Sequence, residues 1–241
     1  MSFSTWTSTA VASEARRCAE KPWRAVEAQY RAVTMSLVDS LAEQAQLEAL
    51  IETSKPPIPA QALGLHWLLF TPFRYPTSQY GSRFRRPFEP GVFYAAHRRR
   101  TACAELGYWR WRFLSEAPAL GTLDSLPQTL FQVAIEGSAA DVRKEAFSGY
   151  RAQFEDRRNY AYCQAFANAA REAKIEAIVY RSVRDPLAGG CLAVLSPSAF
   201  AKPAPIAQES WTMSVTADRV FWQKSDVLSP EDFEFEAGLW S

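Results

Sequence analysis

The sequence predicts an α+β fold built on a mixed sheet. Short apolar runs of strand length alternate irregularly with helix-length stretches, unlike the regular alternation of a doubly wound parallel sheet. Apolar residues make up 48% of the 241, enough for a core that needs no staples. The turn GxGxxG, which opens a dinucleotide-binding βαβ unit, is absent.

Each element has its own signal. Pro22–Glu52 is rich in Ala, Leu, Glu, Gln and Arg, and Pro22 suits a first helical turn. Val26, Tyr30, Val33, Leu37 and Leu41, then Leu47, Leu50 and Ile51, recur at near-helical spacing, so this stretch is expected to be a helical pair. KPPIP at Lys55–Pro59 ends it as a stiff connector. Residues 1–60 are therefore expected to be an N-terminal helical extension, and 61–241 the main domain.

In that domain Leu65–Phe70, LHWLLF, reads as a buried strand, and Pro72–Gly91 is turn-rich with Pro76, Gly81, Pro87 and Pro90. Val92–Ala96 is a second strand. A helix is expected from Arg99 to Leu114, with Ala102, Leu106, Trp109 and Phe113 as its core-facing stripe and Glu105 flanking it. Leu130–Ile135 reads as a strand. Ser138 is placed to cap a short helix, with Asp141 three residues on. Asp156–Lys174 reads as a helix, while Ala177–Tyr180 and Cys191–Leu195 read as strands flanking the Gly189–Gly190 turn. Trp211–Val215 and Arg219–Trp222 form a hairpin around Ala217–Asp218. An acidic tail from Ser225 is expected to cover a surface.

Composition narrows the function. Cys18, Cys103, Cys163 and Cys191 are far apart and form no CxxC pair, which suits reduced thiols in a cytoplasm. With only His66 and His97 available, a Cys/His metal site is not expected. No run has the length and apolarity of a signal peptide or a membrane span. GxxxxGK[ST], GxSxG and HExxH are absent, and a His97–Cys103 dyad would lack a third orienting group.

Charge is concentrated in one place. Residues 74–112 carry nine arginines against Glu89 and Glu105, a formal +7, while the whole chain is only +1. So dense a cluster is either a solvated surface or a pocket for a polyanion, since guanidinium forks match phosphate oxygens. Within it, Arg83 sits in the turn-rich segment, Tyr94 on a strand and Glu105 on the following helix. A strand running straight into a helix can present the ring and the carboxylate to one cleft, with Arg83 closing over it. Ser182 follows a strand far downstream, where pocket groups commonly lie.

These residues carry a resemblance. GSRFRRPFEPGVFYAAHRRRTACAELGYWR, with the later VYRSVRDP, resembles the RES-domain toxins, named for arginine, glutamate and serine. Arg83, Tyr94, Glu105 and Ser182 match the motif residues in order, and Arg74–Tyr75 resembles an upstream arginine–tyrosine pair. Phe84 and Arg85 stand where the family often has tryptophan and asparagine. The resemblance spans about residues 62 to 222.

It implies an ADP-ribosyltransferase-like core that binds NAD as substrate in a split-sheet cleft and cleaves the nicotinamide–ribose bond, with phosphate or water as acceptor and no metal. Arg83, Tyr94 and Glu105 would be catalytic. Arg74, Tyr75, Arg83, Tyr94 and Ser182 would hold the dinucleotide, Arg74 and Arg83 by its pyrophosphate. The implied partner is a small Xre-like antitoxin, through which alone nucleic acid would be met, with self-association inside that complex allowed. Transfer of ADP-ribose to a protein is the alternative chemistry, and a non-enzymatic module gripping an anion through its arginines the alternative class.

Overall fold

The computed structural model of the protein describes residues 6–28, 37–75 and 79–240. Helix α1 (Ser8–Ser13) is followed by β1 (Arg16–Glu20), β2 (Trp23–Glu27), α2 (Leu41–Ser54), α3 (Trp67–Arg74), β3 (Phe93–Ala96) and α4 (Arg99–Glu116). Next come β4 (Leu123–Gln132), β5 (Ile135–Asp141), α5 (Arg151–Phe154), α6 (Ala161–Glu172), β6 (Ala177–Arg181) and β7 (Gly190–Val194). The chain ends with β8 (Ala207–Val215), β9 (Arg219–Lys224) and β10 (Asp232–Glu236).

Among the described residues the strands form one mixed sheet in the order β1-β5-β6-β7-β3-β2-β4-β8-β9-β10. Only β5 and β6 pair in parallel; the other pairs are antiparallel. The centre of the sheet is its weak point. β3 and β2 meet through the single register pair Trp23↔Ala96, whereas β2 pairs with β4 along its whole length. Beyond that pair the two halves diverge, and the sheet splits as the resemblance implied.

Alternation along the strands sends side chains to opposite faces and builds two cores. On β3 and β7, Phe93, Leu192 and Val194 join Leu69, Phe73 and Phe131 on one face. Ala96, Cys191 and Ala193 join Phe84, Cys163, Phe166 and Trp222 on the other, under α1, α4 and α6.

Several expectations are corrected. Trp23–Glu27 is a strand and not the start of a helix, because ladder pairing with β4 outweighs a weak helical propensity. The N-terminal stretch thus contributes β1 and β2 to the sheet, and among the described residues its helices are α1 and Leu41–Ser54, the latter begun by Ser40 Oγ accepting from the Glu43 amide. Tyr30, Val33 and Pro76 lie outside the described residues. LHWLLF enters a helix: Leu69 and Phe73 share one helical face, and His66 Nδ1 caps it by accepting from the Leu68 amide. A short apolar run fits either element until its packing is known.

The core face of α4 is also rotated from the expected stripe. Ala102 is buried as expected, but the other buried residues are Thr101, Cys103, Ala104, Gly107, Tyr108 and Leu114. Trp109 and Phe113 are each 48% exposed. Small side chains let the helix approach the sheet closely: a Cβ on Gly107 would stand 3.1 Å from Val220 Cγ1. Ser138 lies in β5 and caps no helix, and Asp156–Asn159 form a turn before α6 begins at Ala161. The acidic tail supplies edge strand β10, paired with β9.

Candidate active site

A cavity of about 260 Å³ opens where the sheet splits. Trp23, Arg24, Ala25, Tyr94, Ala95 and Ala96 line it from the diverging strands. Glu105, Leu106 and Trp109 come from α4, Ser82 and Arg83 from the preceding loop, and Tyr160, Tyr180 and Arg184 from the far wall.

The three central sequence candidates share this hollow. Arg83 is buried; its guanidinium donates to the Phe154 carbonyl at 2.8 Å and lies 4.6 Å over the Tyr160 ring. The Tyr94 hydroxyl bonds Ser82 Oγ at 2.8 Å and accepts from the Phe84 amide at 3.0 Å, so the strand residue pins the loop that carries Arg83. Gln164 holds the same loop, donating to the Ser82 and Arg85 carbonyls. Burial pushes the Tyr94 phenol above its ordinary value.

Glu105 faces the cavity with its carboxyl raised above the usual range. Burial raises it, and the Ser182 hydrogen bond, Arg83 and Arg184 oppose the rise. Ser182 itself is buried and does not line the cavity. Its hydroxyl donates to Glu105 Oε1 at 2.6 Å and accepts from the amides of Arg184 (3.1 Å) and Asp185 (2.9 Å). Its place is behind the carboxylate, where it contacts the acid and not the hollow.

The upstream pair is elsewhere. Arg74 Nε donates to the Pro56 carbonyl at 2.7 Å and its Nη1 pairs with Glu52 at 2.6 Å, while Tyr75 is half-exposed. Neither lines the cavity. The arginine-rich stretch is largely neutralised: Arg74, Arg99, Arg100, Arg110 and Arg112 each pair with a carboxylate, on Glu52, Glu209, Asp185, Glu27 and Glu116. Acids outside the stretch thus balance much of its charge.

Two cavity arginines lie outside that stretch. Arg24 on β2 sits in the seam, its Nη1 donating to the Tyr94 carbonyl at 2.7 Å where a backbone N–H would otherwise continue the ladder. Its guanidinium stacks 4.7 Å from the Phe93 ring centroid, and its Nε is buried without a hydrogen-bond partner. Burial pushes its pKa down to about 10, which leaves it charged at neutral pH. Arg184 is buried over the Tyr108 ring at 3.5 Å and donates to the Arg157 carbonyl and the Tyr160 hydroxyl. Arg24 was hidden because its segment reads as helix. Arg184 could have been found in VYRSVRDP, two residues after the motif serine.

Asp185 fixes this wall to α4. It accepts from Thr101 Oγ1 at 2.7 Å and pairs with Arg100. Gly189 keeps the contact open, since a Cβ there would collide with Thr101 Oγ1. Among the described residues no cluster of three or more His, Cys, Asp or Glu could hold a metal ion, and no helix is long and apolar enough to cross a membrane.

The family model described as "RES domain" matches residues 58–216. The chain belongs to the RES domain family. The matched residues contain Arg83, Tyr94, Glu105 and Ser182, while β1, β2, β9 and β10 lie outside them. The RES domain cavity is therefore completed by Trp23 and Arg24 from a strand that precedes the match. No curated protein matches the chain in sequence. Among solved structures the chain is similar to one in the crystal structure of the M. tuberculosis MbcT–MbcA toxin–antitoxin complex. Identity is 12%, coverage is 84% of this chain and 87% of that one, and the TM-score is 0.48.

Proposed function

We propose that this RES domain protein is the toxin of a toxin–antitoxin pair and depletes NAD by cleaving the bond between nicotinamide and ribose. One observation carries the reading: Arg83, Tyr94 and Glu105, from a loop, a strand and a helix, line one hollow inside the family match.

The chemistry suits those groups. As the C1′–N bond breaks, its electron pair leaves with nicotinamide and neutralises the ring nitrogen, while the ribose carbon develops oxocarbenium-like charge. Glu105, fixed by Ser182, stabilises that charge without reorganising. Arg83, Arg24 and Arg184 supply guanidinium donors for the pyrophosphate, outnumbering the one carboxylate that lines the hollow. Tyr94 shapes the nicotinamide end and braces the Arg83 loop. The acceptor's nucleophilic atom then bonds C1′, and any proton it carries passes to solvent: inorganic phosphate makes the reaction phosphorolysis, water makes it hydrolysis, and a protein side chain makes it ADP-ribosyl transfer. An Xre-like antitoxin is the partner that would hold the toxin in check.

Nicotinamide release tests the reading. Purified, antitoxin-free protein incubated with NAD, with and without phosphate, should release nicotinamide. NAD left intact by the folded protein would overturn it. With labelled NAD, label on a protein band would assign transfer, and label confined to small molecules would assign phosphorolysis or hydrolysis.

A further inference from the structure

We propose that Trp109 is the platform on which the adenine of the dinucleotide stacks. The inference deepens the NAD reading and rests on it.

The cavity is too small for the whole substrate. At about 260 Å³ it falls below the roughly 300–1,000 Å³ of pockets that enclose a drug-sized ligand, and a dinucleotide is larger than that. The half that reacts must lie inside, beside Glu105. The adenylate half must then leave through the mouth.

Trp109 stands in the right place. It follows Glu105 by four residues on α4, so the two side chains share a face about one turn apart. It lines the cavity yet remains 48% exposed, an apolar ring on the rim left open to water. Packing does not explain it, because the core side of α4 is taken by smaller residues.

The indole is also braced. The Tyr108 ring meets it edge-on, centroids 5.1 Å apart at 71°, and the Arg112 guanidinium lies 5.7 Å from its centroid. Arg112 is in turn held by Glu116 at 2.9 Å. A purine laid on such a ring gains stacking contact and covers the exposed apolar surface.

Nicotinamide mononucleotide carries the same scissile bond and no adenine, so it isolates the inference. Trp109→Ala should lower the ratio of kcat/KM for NAD to kcat/KM for the mononucleotide by roughly tenfold or more, and Trp109→Phe should restore most of it. Calorimetric titration with ADP-ribose should weaken in the same order. An unchanged ratio with unchanged ADP-ribose affinity overturns the proposal. So does an equal loss on both substrates, which would assign the indole to the nicotinamide half. If the wild type leaves NAD intact, the cleavage reading fails by itself, and the ADP-ribose titration of the two variants decides the platform.

Discussion

The Ser182 hydroxyl donates to Glu105 Oε1 at 2.6 Å, across 77 residues of chain, and joins the end of β6 to the middle of α4. Ser182 Oγ in turn accepts from the amides of Arg184 and Asp185. The turn that carries Arg184 and the carboxylate it faces are thus set by one side chain.

Ser182→Ala should therefore act through geometry. It leaves two buried amides without their acceptor and frees the Glu105 carboxylate to rotate. Nicotinamide release should show kcat lowered by about tenfold or more with the KM for NAD little changed. A loss confined to KM would instead mean that Ser182 touches the substrate.

Glu105→Gln should separate stability from activity. A carboxyl raised by burial binds its proton more readily in the folded chain than in the unfolded one. Its contribution to stability is full below the unfolded value of about 4.5 and is lost as pH rises through the raised folded value. The Gln variant is neutral throughout, so its melting temperature should overtake that of the wild type across this window and stay above it at neutral pH. Cleavage should fall by roughly 10²–10³. The wild-type rate should climb over the same window, with a midpoint above the ordinary glutamate value. Parallel melts and rate profiles check both.

Arg24→Met should keep the Phe93 contact and discard the charge. The relief of desolvation is set against the stranded Tyr94 carbonyl, so folding stability is expected to fall by no more than about 1–3 kcal/mol, while kcat/KM for NAD falls about tenfold or more. Arg74→Ala is the contrast: its guanidinium is committed to Glu52 and Pro56 outside the cavity, so turnover should stay within about twofold of wild type. Steady-state kinetics on the two variants reads the difference.

Asp185→Ala should be a stability lesion. The carboxylate is buried, and its loss strands Arg100 and Thr101 Oγ1 together. Arg100 is partly exposed and water can reach it, so the main loss is the buried hydrogen bond to Thr101, about 1–3 kcal/mol, visible as a lower denaturant midpoint with little change in slope.

Much of this was legible in the chain. The central strands at Phe93–Ala96, Ala177–Arg181 and Gly190–Val194 lie close to where their apolar runs predict them. Arg83, Tyr94 and Glu105 were singled out by residue type and spacing, and one hollow gathers them. Other features were not legible, each for a physical reason. WRAVE has a helical composition, and only the ladder with β4 makes it a strand. LHWLLF carries no period long enough to separate strand from helix. The stripe through Ala102, Leu106, Trp109 and Phe113 has helical spacing, but a helix's phase against a sheet is decided by which side chains fit the gap.

By itself the amino-acid sequence determined the mixed fold class and the family, and it picked out the acid, phenol and guanidinium that line one hollow, because these depend on residue type and local order. Tertiary structure alone decided that the sheet splits between β2 and β3, that Arg24 fills the seam, that Ser182 serves Glu105 and that Arg74 does not reach the cavity. Each of those is a contact between segments distant in sequence, and local propensity carries no information about which distant backbone a side chain will meet.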